Sequence, residues 1–276
     1  MRIPIPGFAV LAFILCNIPL AAQQGSVETL AGLYQGIISD YANGKAPRLV
    51  DVTNLLDKVP EMDAKDIESA LPLIEEAIQS TRLEVRSYGE LGMFAISQRS
   101  DSAQLIGHLA PVVARNLQDP DVHIRKGAVL VLSGMRPKPP EEAISYLLSA
   151  LQFDHELGPG IVYGLVQIDP NRTDIAHAID VYMKTNMATR DQRVDTLNAL
   201  ASRQVTDRRL ISDMATNFSD ESEDVRLSAI RAIVRSGPAG VEASKQQLRR
   251  LAGPDEPSEN VRDEAQRALG KPQDAK

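Results

Sequence analysis

The four histidines are the residues of this sequence best suited to proton transfer or to binding a transition metal. They are His108, His123, His155 and His177. A helical metal site places two ligands about one turn apart, and no two of these histidines are separated by four residues. The densest local set, Asp154, His155 and Glu156, directly precedes a Gly-Pro-Gly turn. This set is typical of a solvated turn between helices, so we expect no metal site.

The segment GPGIVYG, residues 158–164, contains the glycines of a phosphate-binding loop. A dinucleotide fingerprint also needs a different glycine spacing, a preceding strand and an acidic residue after a second strand. The sequence has none of these features. Proline suits the first turn of a helix, so the segment predicts a helix N-terminus and no nucleotide cofactor.

Nucleophilic and carboxylate catalysis are also poorly supported by the sequence. The single cysteine, Cys16, lies in the apolar N-terminal stretch, and no Gly-x-Ser-x-Gly elbow is present. Paired acids such as Glu75-Glu76 and Glu141-Glu142 are common on solvated helix faces. We therefore expect no catalytic residue and no cofactor, and we do not expect an enzyme.

The elements that would position any site are helices. From Asp63 onward apolar residues recur three and four positions apart, and no strand pattern of period two is found. Turn residues such as Gly237-Pro238 separate successive helical pairs. We predict first helices near 65–79, 102–118, 140–152, 173–186, 207–218 and 240–252. The second helices are predicted near 83–97, 122–135, 159–168, 190–203, 223–236 and 258–269. The predicted fold class is all-α.

The second helices follow one repeated plan, most clearly at residues 119–134 and 220–237. Taking Val85, Ile124, Ile161, Val194, Val225 and Val261 as equivalent gives separations of 31 to 39 residues. Four and seven positions after these residues the side chains are mostly small or apolar. Small residues along one stripe allow close approach of a neighbouring helix, as stacked repeats require.

The repeated plan resembles the HEAT-repeat family in its bacterial, exported, armadillo-like form. Two further features carry the resemblance, which covers about residues 65–271. Pro111 stands eight residues before Asp119, and an acid stands six residues before a helix arginine in the pairs Asp119/Arg125, Asp220/Arg226 and Glu256/Arg262. The resemblance implies an α-solenoid of about six HEAT-like helical pairs with an N-terminal helical cap.

The same resemblance implies a hydrogen-bonded ladder of acidic and arginine side chains along the stack. Its members here would be Asp119, Arg125, Asp220, Arg226 and Arg262. The third and fourth repeats depart from the pattern, because Val162 and Asp195 stand where the arginine is expected.

The N-terminus has the order of a secretory signal peptide. Arg2 precedes an apolar run from Phe8 to Leu20, and Ala21-Ala22 supplies a small-residue cleavage site. We predict residues 1–22 as the signal peptide, 23–62 as an N-terminal helical cap or hairpin, 63–271 as the solenoid and 272–276 as a disordered tail. The protein is expected to be exported, either periplasmic or secreted, with no stable membrane span after cleavage.

The charge balance limits the classes of partner. Of the 30 basic residues only Arg2 lies in residues 1–22, so 29 basic residues remain against 37 acidic ones. A modestly acidic chain without a basic block is not expected to bind nucleic acid. In HEAT stacks the second helices line the concave side, which makes their solvent-facing residues the expected partner-binding face. The candidates are Arg86, Glu90, Lys126, Tyr163, Gln167 and Arg231.

The sequence thus predicts a non-catalytic scaffold or adaptor that binds a protein partner through the concave face of the solenoid. Two alternatives stay open. One is a structural envelope protein that self-assembles, with its N-terminal hairpin docked on another copy. The other is an enzyme-associated subunit that resembles the lyase-type HEAT families. The identity of the partner is not encoded in a recognisable motif.

Overall fold

The computed structural model describes residues 29–45, 57–185, 187 and 189–270, and these consist of helices and connecting turns without a strand. The all-α solenoid predicted from the sequence is therefore confirmed. The chain divides into two compact units, one ending at Tyr146 and the other beginning at Leu147. The predicted signal peptide, residues 1–22, and the predicted tail, residues 272–276, lie outside the described residues.

Unit one contains the first helical pairs and the N-terminal helix. Its helices are α1 (Leu30–Ala42), α2 (Ala64–Ile78), α3 (Leu83–Ser97), α4 (Ser102–Ile106), α5 (Ala110–Arg115), α6 (Val122–Gly134) and the first half of α7 (Glu141–Phe153). The single helix predicted over 102–118 is divided into α4, α5 and short 3-10 turns. Pro111 is the second residue of α5, where its missing N–H and fixed φ favour a new helix start over continuation of α4.

Helix α1 packs on α2 and α3 of its own chain. Its apolar stripe, which includes Leu33, Tyr34 and Ile37, is buried. The Tyr34 hydroxyl donates a 2.7 Å hydrogen bond to the backbone carbonyl of Tyr88 on α3. Residues 23–28 and 46–56 of the predicted cap or hairpin lie outside the described residues.

Unit two contains the remaining pairs. Its helices are the second half of α7, then α8 (Gly158–Ile168), α9 (Thr173–Thr185), α10 (Arg190–Ala201), α11 (Arg208–Thr216), α12 (Glu223–Arg235), α13 (Pro238–Ala243), α14 (Lys245–Leu251) and α15 (Glu259–Ala268). The second helices α8, α10, α12 and α15 pack side by side in that order. Aliphatic residues such as Leu165, Leu197 and Ile230 form the buried core of this layer.

An arginine near the start of several second helices fastens the turn that precedes it. The Nη1 group of each donates to the backbone carbonyl six residues earlier. The pairs are Arg86 with Ser80 at 2.9 Å, Arg125 with Asp119 at 3.0 Å, Arg226 with Asp220 at 2.7 Å, and Arg262 with Glu256. Because turn carbonyls at helix ends lack helical partners, these contacts satisfy groups that burial would otherwise penalise.

Carboxylates then connect the arginines of successive repeats inside each unit. In unit one Arg86 pairs with Asp119 at 2.9 Å. In unit two Arg193 pairs with Asp220 at 2.8 Å, and Arg226 pairs with Glu256 at 2.7 Å. The expectation that the fourth repeat lacks this arginine was wrong, because Arg193, two residues before Asp195, supplies the contact.

No helix in residues 29–45, 57–185 or 189–270 combines the length and apolar character needed to cross a bilayer.

Candidate functional site

An open groove of about 740 Å³ lies on unit two, at the C-terminal ends of α10 and α12. Its lining includes Ser202, Arg203, Arg231, Val234, Arg235 and Glu264. We call these residues the arginine groove. Helix α10 and the turn after it contribute residues 201–204, α12 contributes Arg231, Val234 and Arg235, and α15 contributes Glu264 from the next repeat.

Arg231 and Arg235 lie on one face of α12 because they are four residues apart. The Arg231 side chain is 58% exposed, and its closest acid, Glu264, is 4.0 Å away. Glu264 is held more tightly by Arg267, at 2.5 Å. Arg231 is therefore a weakly paired cation at the surface of the groove.

Two further guanidinium groups are oriented through their Nε atoms. The Nε of Arg203 donates to the side-chain oxygen of Gln167 at 3.1 Å, and the Nε of Arg235 donates to the carbonyl of Ala201 at 3.2 Å. An arginine has five N–H donors, and in the described part of the chain the terminal amino groups of both residues make no hydrogen bond. Their orientation is fixed while most of their donors stay available.

Gln167, predicted to face a partner, connects two repeats. Its amide nitrogen donates to the Ser202 hydroxyl at 2.8 Å, while its oxygen accepts from Arg203. The side chain thus helps to position Ser202 and Arg203, which line the groove. Tyr163 lies one turn earlier on α8 and is half-buried.

Glu90, also predicted for the partner-binding face, is buried with 1% exposure, so that prediction was wrong. The Asn116 amide donates to its Oε1 at 2.6 Å, and its Oε2 has no partner in the described residues. Burial is the main cause that raises the pKa of Glu90 to about 8; the Asn116 hydrogen bond opposes the shift and the Asp119 charge adds to it. Gly127 on α6 lies directly against this side chain, since a Cβ there would be 3.3 Å from the Glu90 Cβ and 3.4 Å from Oε2.

The other two candidates in unit one have different environments. Arg86 is largely buried and ion-paired with Asp119, so it belongs to the ladder contacts and was wrongly predicted to face solvent. Lys126 is exposed on α6. The structure therefore does not assemble Arg86, Glu90 and Lys126 into one accessible surface.

A pair of carboxylates links α9 and α11 in unit two. The Lys184 ammonium is 2.5 Å from Asp180 and 3.6 Å from Asp213. Burial and then the neighbouring Asp180 raise the pKa of Asp213 to about 7, whereas a hydrogen bond from Asp213 is the main cause that lowers the pKa of Asp180. The protonated form of Asp213 is thus favoured beside the ionised form of Asp180. Within the described residues no group of three metal-ligating side chains forms, here or elsewhere.

Of the residues that line the groove, the sequence predicted Arg231 as a partner-binding residue but not Arg203, Val234 or Arg235. Both missed arginines lie in or just after the last turn of a predicted helix, where a basic residue is ordinarily read as complementing the helix dipole. The four-residue spacing of Arg231 and Arg235 was the available signal for a shared cationic face. No local pattern indicated the proximity of Arg203, because it depends on how α10 packs against α12.

The fold is a HEAT/armadillo-like solenoid, as the resemblance implied. No family model matches the sequence, and no curated protein does. Among solved structures, an engineered protein is similar, with a TM-score of 0.48, 18% identity, and coverage of 94% of this chain and 77% of that chain. The archaeal HEAT-like repeats protein from Thermococcus onnurineus NA1 gives a TM-score of 0.45 and 14% identity, covering 79% of this chain and 95% of that one.

A designed armadillo repeat protein in complex with the peptide (KR)4 is also similar, with a TM-score of 0.36 and 18% identity over 86% of this chain and 98% of that chain. These likenesses concern the fold alone. Repeat solenoids of this type are typical of protein-binding scaffolds and are generally non-catalytic.

Proposed function

We propose that the chain is a non-catalytic scaffold that binds another protein through the second-helix face of unit two. The observation that carries this proposal is the arginine groove, which is lined by three arginines and an exposed aliphatic side chain. Val234 is 44% exposed although it lies between Arg231 and Arg235 on the same helix.

The composition of the groove supports a protein ligand. Arginine is enriched among the residues that dominate binding energy at protein interfaces, because its planar group combines several directional donors with an apolar stem. An exposed valine beside it offers area whose burial is favourable, at roughly 25 cal/mol per Å². Open grooves along stacked helices are also the surfaces that repeat proteins use for extended partners.

The self-assembly alternative required the N-terminal helix to dock on another copy. The apolar stripe of α1 is instead buried against α2 and α3 of the same chain. This packing gives the alternative no free apolar face in the described part of α1. The enzyme-associated alternative has no specific observation in its favour.

We further propose that the protein is exported, to the periplasm or beyond the cell. The support is the order of the first residues, with Arg2 before an apolar run that ends in a small-residue site. Mass spectrometry of the purified protein from its source cell tests this directly: a mature N-terminus at Gln23 is expected, and an intact Met1 would contradict it.

Site-specific photo-crosslinking tests the binding function. A photoreactive residue placed at Val234, inside the groove, is expected to capture a protein in the source cell. The same residue at Gln246, exposed on α14 and outside the groove, serves as the control. Capture at Val234 should be lost when Arg231 and Arg235 are both changed to Glu. Equal capture at the two positions, or none at Val234, would contradict the proposal.

A further inference from the structure

We infer that the arginine groove binds an extended acidic segment of a partner protein, whose carboxylates pair with Arg203, Arg231 and Arg235. This inference rests on the proposed function and adds the chemistry of the partner. An aliphatic side chain of the same segment packs on Val234.

The first step is the geometry of the free donors. Arg203 and Arg235 are each held through Nε, so their outer edges present two terminal amino groups toward solvent. Two parallel N–H groups of a guanidinium match the two oxygens of a carboxylate. Because these side chains are already oriented, binding costs less side-chain entropy than it would for a free arginine.

The second step is the local charge. The whole chain has a formal net charge of −7, yet the groove holds three arginines and one acid, Glu264. That acid is already bound by Arg267 at 2.5 Å. An acidic segment is therefore attracted at the groove, while the acidic balance of the whole chain disfavours non-specific binding.

The third step separates an acidic peptide from a nucleic acid. Single-stranded nucleic acids are bound by stacking their bases on aromatic side chains along a basic track. The groove residues include no aromatic side chain, and its exposed non-polar residue is Val234. Alternating carboxylate and aliphatic side chains complement this arrangement better than a run of phosphates and bases.

Fluorescence anisotropy with the full chain tests the inference. The probe is a short labelled peptide that alternates Glu with Leu, and the comparison probes are the same peptide with Gln for Glu and an oligothymidylate. The acidic peptide should bind about tenfold more tightly than the Gln peptide, which corresponds to roughly 1.4 kcal/mol. Absence of binding at the highest soluble concentration, or tighter binding of the oligothymidylate, would overturn the inference.

Two double variants with equal change in net charge localise the effect. Arg231→Gln with Arg235→Gln should weaken acidic-peptide binding about tenfold or more, as loss of paired charges predicts. Arg249→Gln with Arg250→Gln alters two exposed arginines on α14, outside the groove, and should leave affinity unchanged. Equal weakening by both variants would mean non-specific charge attraction and overturn the inference. Circular dichroism verifies that both variants keep their helix content.

The outcomes distinguish this inference from the proposed function. If the Val234 crosslink persists while the Gln peptide binds as well as the acidic one, the groove binds protein but the acidic chemistry is wrong. If the Val234 crosslink is absent, the proposed function itself fails. Light scattering that shows an assembly dissociated by the Arg231→Gln and Arg235→Gln changes would identify a second copy as the occupant and overturn the inference.

Discussion

The guanidinium group of Arg226 lies 2.7 Å from the carboxylate of Glu256, and the two side chains are only 9% and 6% exposed. Arg226 also donates to the carbonyls of Asp220 and Glu221, at 2.7 and 2.9 Å. One buried cation thus joins its own turn to the acid of the following repeat. A buried charge that is paired with an opposite charge in this way is tolerated, whereas an unpaired one is costly.

Replacing Arg226 with Met should therefore destabilise the protein by about 3–5 kcal/mol, because Glu256 is left buried without its cation. The double change Arg226→Met with Glu256→Leu should cost less than the single one, since no charge remains unpaired. Urea unfolding monitored by circular dichroism measures both. A double variant less stable than Arg226→Met would show that the ion pair does not dominate the effect.

Because the Glu90 carboxyl is buried, we predict that the free energy of unfolding falls as the pH rises. Its pKa is about 8 in the folded protein, above the ordinary value of 4.5, so the folded state holds a proton that the unfolded state releases between these values. Stability from this group is fully present below pH 4.5 and is lost as the pH rises through about 8. Glu90→Gln keeps an uncharged group of the same shape and should be the more stable protein at pH 8, by on the order of 2 kcal/mol.

Urea midpoints of the parent and of Glu90→Gln, measured between pH 5 and pH 9, check this prediction. The exposed acid Glu76 provides the matched control as Glu76→Gln, which should follow the parent at every pH. Parallel curves for the parent and Glu90→Gln would show that Glu90 does not titrate in this way.

Gly92 is required by the docking of α1. A Cβ at this position would lie 1.9 Å from the Tyr34 hydroxyl oxygen, closer than any non-bonded contact allows. Gly92→Ala should displace α1 from α3 and speed amide hydrogen exchange across Leu30–Ala42. Gly36→Ala, on α1 itself, meets nothing within 4 Å and should instead stabilise by about 0.5–1 kcal/mol. Unchanged exchange in Gly92→Ala would contradict the described packing of Tyr34.

From the Asp180–Asp213 pair we predict that the stability of the protein also depends on pH near neutrality. The pKa of Asp213 is raised to about 7, so its contribution to stability is present at low pH and is lost as the pH rises through that value. Asp213→Asn supplies a hydrogen-bond donor to Asp180 at every pH, and its stability should change less between pH 6 and pH 8 than that of the parent.

Thermal unfolding of the parent and of Asp213→Asn across this pH range checks the prediction. Asp255→Asn is the control, because Asp255 is exposed. The control should retain the parental slope. If Asp213→Asn retained that slope too, proton sharing between the two carboxylates would be excluded.

The helices were predictable because their cause is local. Periodic apolar residues and turn-forming Gly and Pro placed α3 at residues 83–97 and α12 within one residue of its observed end. The partners of polar side chains were not predictable by the same means. Glu90 occupies a second-helix position that was expected to face solvent, and its burial depends on the packing of α6, where Gly127 lies against its side chain.

The same limit applies to the candidate site: positions within a helix could be predicted from the sequence, whereas contacts between helices could not. Arg231 could be placed on the second-helix face from its position in the repeat. That Gln167 holds Arg203 depends on contacts between residues 36 positions apart, which no local pattern encodes. In the fourth repeat the arginine was expected at the position of Asp195. Arg193, two residues earlier, makes the ladder contact instead.

The six-residue interval between each ladder arginine and the carbonyl it binds limits how this chain can change in length. One residue inserted between Ser80 and Arg86 within the helix rotates the guanidinium by about 100° and carries it away from its carbonyl. The same holds for Asp220 and Arg226. We therefore expect insertions to be tolerated better outside these intervals, and the length of the protein to change most readily by whole repeats.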